Sequence, residues 1–168
     1  MPHLLAAFLL AQGAGPFEGP EARATVLLFV DPECPVSNRY APEIAALNER
    51  FAPRGVAFHI VYPNAEAPAA RAHAALFKLP GGVLADTDRR WTREAGATVT
   101  PEAAVYAGRR LIYRGRIDDR HVRLGETRPA PSKQDLAAAL ERALSPNPGR
   151  LRTTKAVGCY IPRRSGSR

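Results

Sequence analysis

Lysine is nearly missing from this chain. Lys78, Lys133 and Lys155 are the only three, so the formal net charge of +8 over 168 residues rests almost wholly on arginine. No aromatic-interleaved basic patch, Cys/His finger spacing or basic helix accompanies those arginines. They read as a solvated exterior, and no nucleic-acid partner is expected. Cysteine is almost as scarce: Cys34 and Cys159 stand alone at opposite ends of the sequence. That number excludes a dense disulfide framework and any Cys-x-x-Cys zinc set, although it admits one disulfide. The four histidines, His3, His59, His73 and His121, show no ligand spacing, so neither a metal nor another cofactor is expected. No apolar run reaches the roughly 20 residues that cross a bilayer, which argues against an integral membrane segment.

What remains is enough for one core. A chain of this length with 45% hydrophobic residues buries a single ordinary domain. The N-terminal "MPHLLAAFLLAQGAG" has a short apolar centre and a small-residue stretch, Ala11-Gln12-Gly13. Residues 1–20 are therefore read as a leader or signal segment. Export to a periplasmic or other oxidising compartment is favoured, with the cytoplasm as the alternative.

Hydrophobic periodicity divides residues 21–145 into alternating elements. "ATVLLFV" at 24–30 is a continuous buried strand. Ser37 to Phe51 places Tyr40, Ile44, Leu47 and Phe51 at helical spacing, with Pro42 expected to kink the helix. "GVAFHIVYP" is a second strand, and "EAPAARAHAALFKLP" a helix ended by Pro80. A short strand "GVLAD" and a helix capped at Thr87 follow. "EAAVYAGRRLIYRGRI" is a hairpin around Gly108-Arg109. A last helix begins at a capping box of Ser132 and Asp135. This order predicts an α/β domain with a central mixed sheet flanked by helices. Residues 146–168 carry no sustained period and are expected to form a C-terminal tail.

The chemistry concentrates in "VDPECPVSNRYAPE" at 30–43. Cys34 falls between a buried strand and a helix, in a turn bracketed by Pro32 and Pro35. A helix N-terminus offers free N–H groups and a favourable dipole, which lower a thiol pKa and create the nucleophilic form. The simpler reading is an inert buried cysteine. Ser37 lies where its hydroxyl can donate to the thiolate, cap the helix, or do both.

"ECPVS" after a buried strand, Pro42 and "TVTPEAAVY" before a hairpin resemble the thioredoxin superfamily. With "YRGRIDDR" and "TKAVGCYI", the chain is similar to its bacterial redoxin group, related to alkyl hydroperoxide reductase and thiol-specific antioxidant proteins. The resemblance spans about residues 24–161. It implies a thioredoxin-like fold with a βα insertion before the Thr-Pro loop, and a thiol-disulfide oxidoreductase with an antioxidant role. It makes Cys34 the redox-active thiol and Thr100-Pro101 a cis peptide that docks substrate beside it, with Pro35 on the other side. The implied partner is a thiol or disulfide protein, or a small peroxide. The family's second local cysteine is replaced by Ser37, its tryptophan before the cysteine by Glu33, and its buried strand acid falls on Leu28. At the positions of a peroxidase signature stand Leu27 and Asp31, and Asn38 stands where copper-delivery relatives carry a second thiol.

One-thiol chemistry at Cys34 is thus the leading expectation, with a non-catalytic binding module and a thiol-dependent peroxidase as alternatives. Arg116 is nominated to stabilise the thiolate from the hairpin. Cys159, in an apolar island with Val157, Gly158, Tyr160 and Ile161, either resolves an oxidised Cys34 or anchors the tail. His59 reads as a core histidine, Trp91 as packing, and Asp118-Asp119-Arg120 as a turn held by Asx bonds. The oligomeric state stays open.

Overall fold

The computed structural model describes residues 15–17 and 22–162. The expected leader therefore lies outside the described residues except at 15–17, as do residues 163–168. Strand β1 (Ala24–Phe29) is buried along its whole length. Its side chains alternate between two cores. Val26 and Leu28 join one cluster with Ile44, Phe51, Leu136 and Leu140; Leu27 and Phe29 join the other with Val61, Ala95 and Tyr106. Burial on both faces explains why the strand reads as an unbroken apolar run.

Helix α1 (Pro35–Arg39) follows and is separated at Tyr40 from α2 (Ala41–Phe51). The break falls ahead of Pro42, which sits in the first turn of α2, where its missing N–H costs nothing. A 3-10 turn leads to β2 (Val56–Tyr62), parallel to β1. Then come α3 (Ala67–Leu76), β3 (Gly82–Ala85), parallel to β2, and α4 (Arg90–Ala95). The cap of α4 is not Thr87. Asp86, almost wholly buried, accepts from Trp91 N, Thr92 N and Thr92 Oγ1 at 3.1, 2.8 and 2.7 Å.

Strand β4 (Val99–Thr100) precedes the hairpin of β5 (Glu102–Ala107) and β6 (Arg110–Gly115), and β5 runs antiparallel to β1. A small ladder, β7 (His121–Arg123) with β8 (Glu126–Thr127), leads to α5 (Asp135–Ala143). The expected capping box is absent there. Ser132 instead bonds to Asp119, and Asp135 pairs with Arg116. Asp118 and Asp119 form the bonded turn foreseen, with Asp118 accepting from Arg120 N at 2.8 Å and Asp119 from Lys133 N at 2.9 Å.

Residues after Ser145 return to the domain where the sequence suggests a tail. Strand β9 (Arg152–Thr153) extends the main sheet beside β6, giving the order β3-β2-β1-β5-β6-β9. Strand β10 (Cys159–Tyr160) pairs antiparallel with β4 in a separate two-stranded ladder. No helix among the described residues is long and apolar enough to cross a membrane.

Candidate active site

The turn before α1 is built from local bonds. Cys34 N donates to Asp31 O at 3.1 Å, and Glu33 N donates to Asp31 Oδ1 at 2.9 Å. Cys34 is the N-cap of α1, with Pro35 as its first residue. Asn38, one turn later, closes the loop from below: its N–H reaches Cys34 O at 3.1 Å and its Nδ2 reaches Pro32 O at 3.2 Å. The amide is held in turn by His73, whose Nε2 lies 2.9 Å from Asn38 Oδ1 while Nδ1 lies 2.9 Å from Tyr62 Oη. Since Asn38 Oδ1 only accepts, Nε2 carries the proton and Tyr62 donates to Nδ1. Burial pushes the His73 pKa down, with Asp31 opposing, which favours that neutral form. The sequence places His73 on a polar helix face; the fold buries it under the active turn. No local pattern announces this contact, because its partners come from α1 and β2.

The second half of the site arrives from β4 and β10. Cys34 Sγ donates to Thr100 O at 3.0 Å, in the cis Thr100-Pro101 peptide. Cys159 pairs across the ladder with Thr100. Gly158 packs so closely that a Cβ there would lie 2.0 Å from Thr100 O and 3.1 Å from Pro101 N. Only glycine permits this approach. Ile161 N then donates to Thr98 O at 2.9 Å, and the Ile161 side chain enters the smaller core.

Both thiols are free, and each shifts the other's titration. Burial pushes the Cys34 pKa up, but bonds from Cys159, from the Ser37 hydroxyl and N–H, and from the Thr100 hydroxyl outweigh it, and the net shift is downward. Cys159 moves the other way. Its own burial, its bond to Cys34 and the negative charges of Cys34 and Asp31 push it up to about 11. The two titrations are thereby driven apart, Cys34 becoming the easier thiol to ionise and Cys159 the harder.

The expected residues fall unequally around this pair. Ser37 supports the sulfur but does not cap the helix: it lies inside α1 and accepts from Asp31 N at 3.4 Å. Pro35 is exposed beside the thiol, whereas Thr100 and Pro101 are buried beneath β10, so the surface expected to dock a substrate is covered by the chain itself. Arg116 does not face the thiol. Its Nε binds Asp135 at 2.7 Å, which leaves the Cys34 sulfur to neutral donors. His59 is a half-buried strand histidine, and Trp91 packs edge-on against Phe17.

No family model and no curated protein matches the chain. Solved structures do. An uncharacterized conserved protein from Geobacillus kaustophilus superposes with a TM-score of 0.71 at 22% identity, covering 87% of this chain and 80% of that one. A hypothetical protein from Sinorhizobium meliloti gives 0.67 at 23%, covering 86% and 82%. A thiol:disulfide interchange protein of the thioredoxin family from Chlorobium tepidum gives 0.53 at 17%, covering 73% and 81%. The chain has a thioredoxin-like fold. Strand β3 and helix α4 form the βα unit expected ahead of the Thr-Pro loop. The thioredoxin-like frame places Cys34 at the start of α1 and Thr100-Pro101 across from it, while the sulfur opposite Cys34 comes from the far end of the chain.

Proposed function

We propose that this protein is a thiol-disulfide oxidoreductase whose redox couple is Cys34 and Cys159. One observation carries the reading: two free thiols meet at Thr100, whose carbonyl accepts from Cys34 Sγ at 3.0 Å and which pairs with Cys159 across the ladder, one thiol with its pKa lowered and the other pushed up to about 11. Two adjacent thiols are the reduced half of a disulfide couple, and oxidation joins the two sulfurs with loss of two electrons and two protons. Cys159 supplies the second sulfur that Ser37 does not. Ser37 and Thr100 hold the charge on Cys34, and Pro35 with the outer side of β10 forms the surface a thiol or disulfide partner meets. An oxidising compartment suits this chemistry, in keeping with the apolar leader at 1–20.

Non-reducing peptide mapping, with free thiols blocked in acid before and after mild oxidation, tests the reading. A Cys34–Cys159 disulfide that disappears in C34S and C159S is the expected result. Two thiols that stay free under oxidant would remove the redox couple and leave a binding module.

A further inference from the structure

The couple can exchange with a substrate at either sulfur, and the structure separates the two. We infer that Cys159 is the sulfur that meets substrate: an incoming thiolate attacks Cys159 of the Cys34–Cys159 disulfide and expels Cys34, so that the protein donates its disulfide. This rests on the proposed redox couple and reverses the roles that the position of Cys34 suggests.

Access is the first argument. Cys34 is 1% exposed, roofed by β10 and packed into the larger core with Val36 and Tyr40. Cys159 is only partly buried and sits on the two-residue outer ladder, next to Tyr160, which is 82% exposed. The line of attack is the second. Thiol-disulfide exchange brings the entering sulfur in opposite the leaving one, so the outcome depends on which sulfur is open from its far side. Cys34 lies wholly inside the larger core, whereas Cys159 packs against that core from its edge and keeps an open side. The leaving group is the third. The lower-pKa thiol departs faster, and Cys34 leaves into donors already in place, the Ser37 hydroxyl and N–H and the Thr100 hydroxyl.

The balance closes with thiols alone. A substrate thiolate RS⁻ forms RS–S–Cys159 and releases the Cys34 thiolate. A second substrate thiolate attacks the R sulfur of that mixed disulfide and forms the substrate disulfide. Cys159 leaves as a thiolate and takes up a proton. Two substrate thiols have lost two electrons, and the protein disulfide has gained them. Oxidised glutathione, or another low-molecular-weight disulfide, regenerates the couple. Regeneration is the same sequence run backward and begins with Cys159 attacking the low-molecular-weight disulfide, so the thiol raised to about 11 makes it the slow half of the cycle, driven by excess disulfide.

The full chain, oxidised with glutathione disulfide, is mixed with excess reduced glutathione, quenched in acid over a time course and mapped by mass spectrometry. Glutathione is expected on Cys159 with Cys34 free; glutathione on Cys34 with Cys159 free overturns the inference while the redox couple stands. If no Cys34–Cys159 disulfide forms in the first step, the couple falls and this inference falls with it. A second measurement covers an adduct too short-lived to collect. The glutathione mixed disulfides of C34S and C159S are each reduced by excess thiol, and the Cys159 adduct is expected to react about tenfold or more faster. Equal rates, or a faster Cys34 adduct, reject the assignment.

Discussion

At the scale of single residues, Cys34 owes its lowered pKa to neutral hydrogen-bond donors. Burial alone would raise it; Cys159, Ser37 and Thr100 reverse that, in the order Cys159 first and Ser37 second. Replacing either donor should therefore raise the Cys34 pKa, and Cys159→Ala should raise it further than Ser37→Ala. The pH midpoint of thiolate ultraviolet absorbance measures this, and alkylation at neutral pH should slow in the same order. A Ser37→Ala variant with an unchanged midpoint would confine Ser37 to its bond from Asp31 N. Half of this site is legible in the sequence. Cys34 and Ser37 stand three residues apart beside a helix start, where spacing alone brings them together. Asn38, His73 and Cys159 are not legible as neighbours, because their contacts cross from α1 to α3 and from α1 to β10. A lone histidine or cysteine carries no sign of what will face it.

At the scale of elements, periodicity shows β1, β2, the hairpin and the helices because each spans enough residues to repeat a pattern. Strands β9 and β10 are two residues long and show none, so the end of the chain reads as a tail although it completes the sheet and roofs the thiol. Helix starts are similarly hidden. Asp86 caps α4 from four residues before its first helical residue, a distance at which Thr87 looks the better candidate. Strand β10 is held by its short ladder, by Ile161 and by the bare backbone of Gly158. In Gly158→Ala the added Cβ would meet Thr100 O at 2.0 Å, against backbone that cannot give way. Overpacking of this kind costs about 1–3 kcal/mol, comparable to the one or two hydrogen bonds of roughly 1 kcal/mol each that hold the ladder. The expected outcome is a folded domain with β10 detached. Lys155 becomes cleavable by trypsin under native conditions, and Cys34 becomes open to iodoacetamide with its pKa raised by the loss of Cys159. Wild-type protection in G158A would show that β10 is anchored by Ile161 alone.

At the scale of the whole molecule, the fold brings its two ends together: Cys34 opens the first helix and Cys159 lies in the last strand. Charge ties other distant parts less firmly. Glu141 on α5 holds Arg54 and Arg50, at 2.7 Å each, and the Arg54 bond above all pushes its carboxyl down to about 2. A carboxylate with a lowered folded pKa stabilises fully above its ordinary value and loses that contribution as pH falls from about 4.5 toward 2. The pair is exposed, so the effect is small and screened by salt. Glu141→Gln should flatten this part of the acid limb in urea midpoints taken at low salt and change little at high salt.

A Cys34–Cys159 disulfide acts on a larger scale, since it would close a loop containing most of the domain. The denatured chain loses entropy in proportion to the logarithm of loop length, which for about 100 residues corresponds to roughly 4.7 kcal/mol. Two effects oppose this. Stabilisation of the Cys34 thiolate favours the reduced fold, and any distortion needed to bring the sulfurs to bonding distance weakens the oxidised one. Because Cys34 Sγ and Cys159 already meet at Thr100, the movement required is small and loop closure should prevail. The oxidised protein is therefore expected to unfold at higher urea than the reduced protein, by about 2–4 kcal/mol, and C159S should match the reduced protein under either condition. An oxidised form less stable than the reduced one would place the strain in the disulfide itself, and would make the protein a stronger oxidant than its geometry indicates.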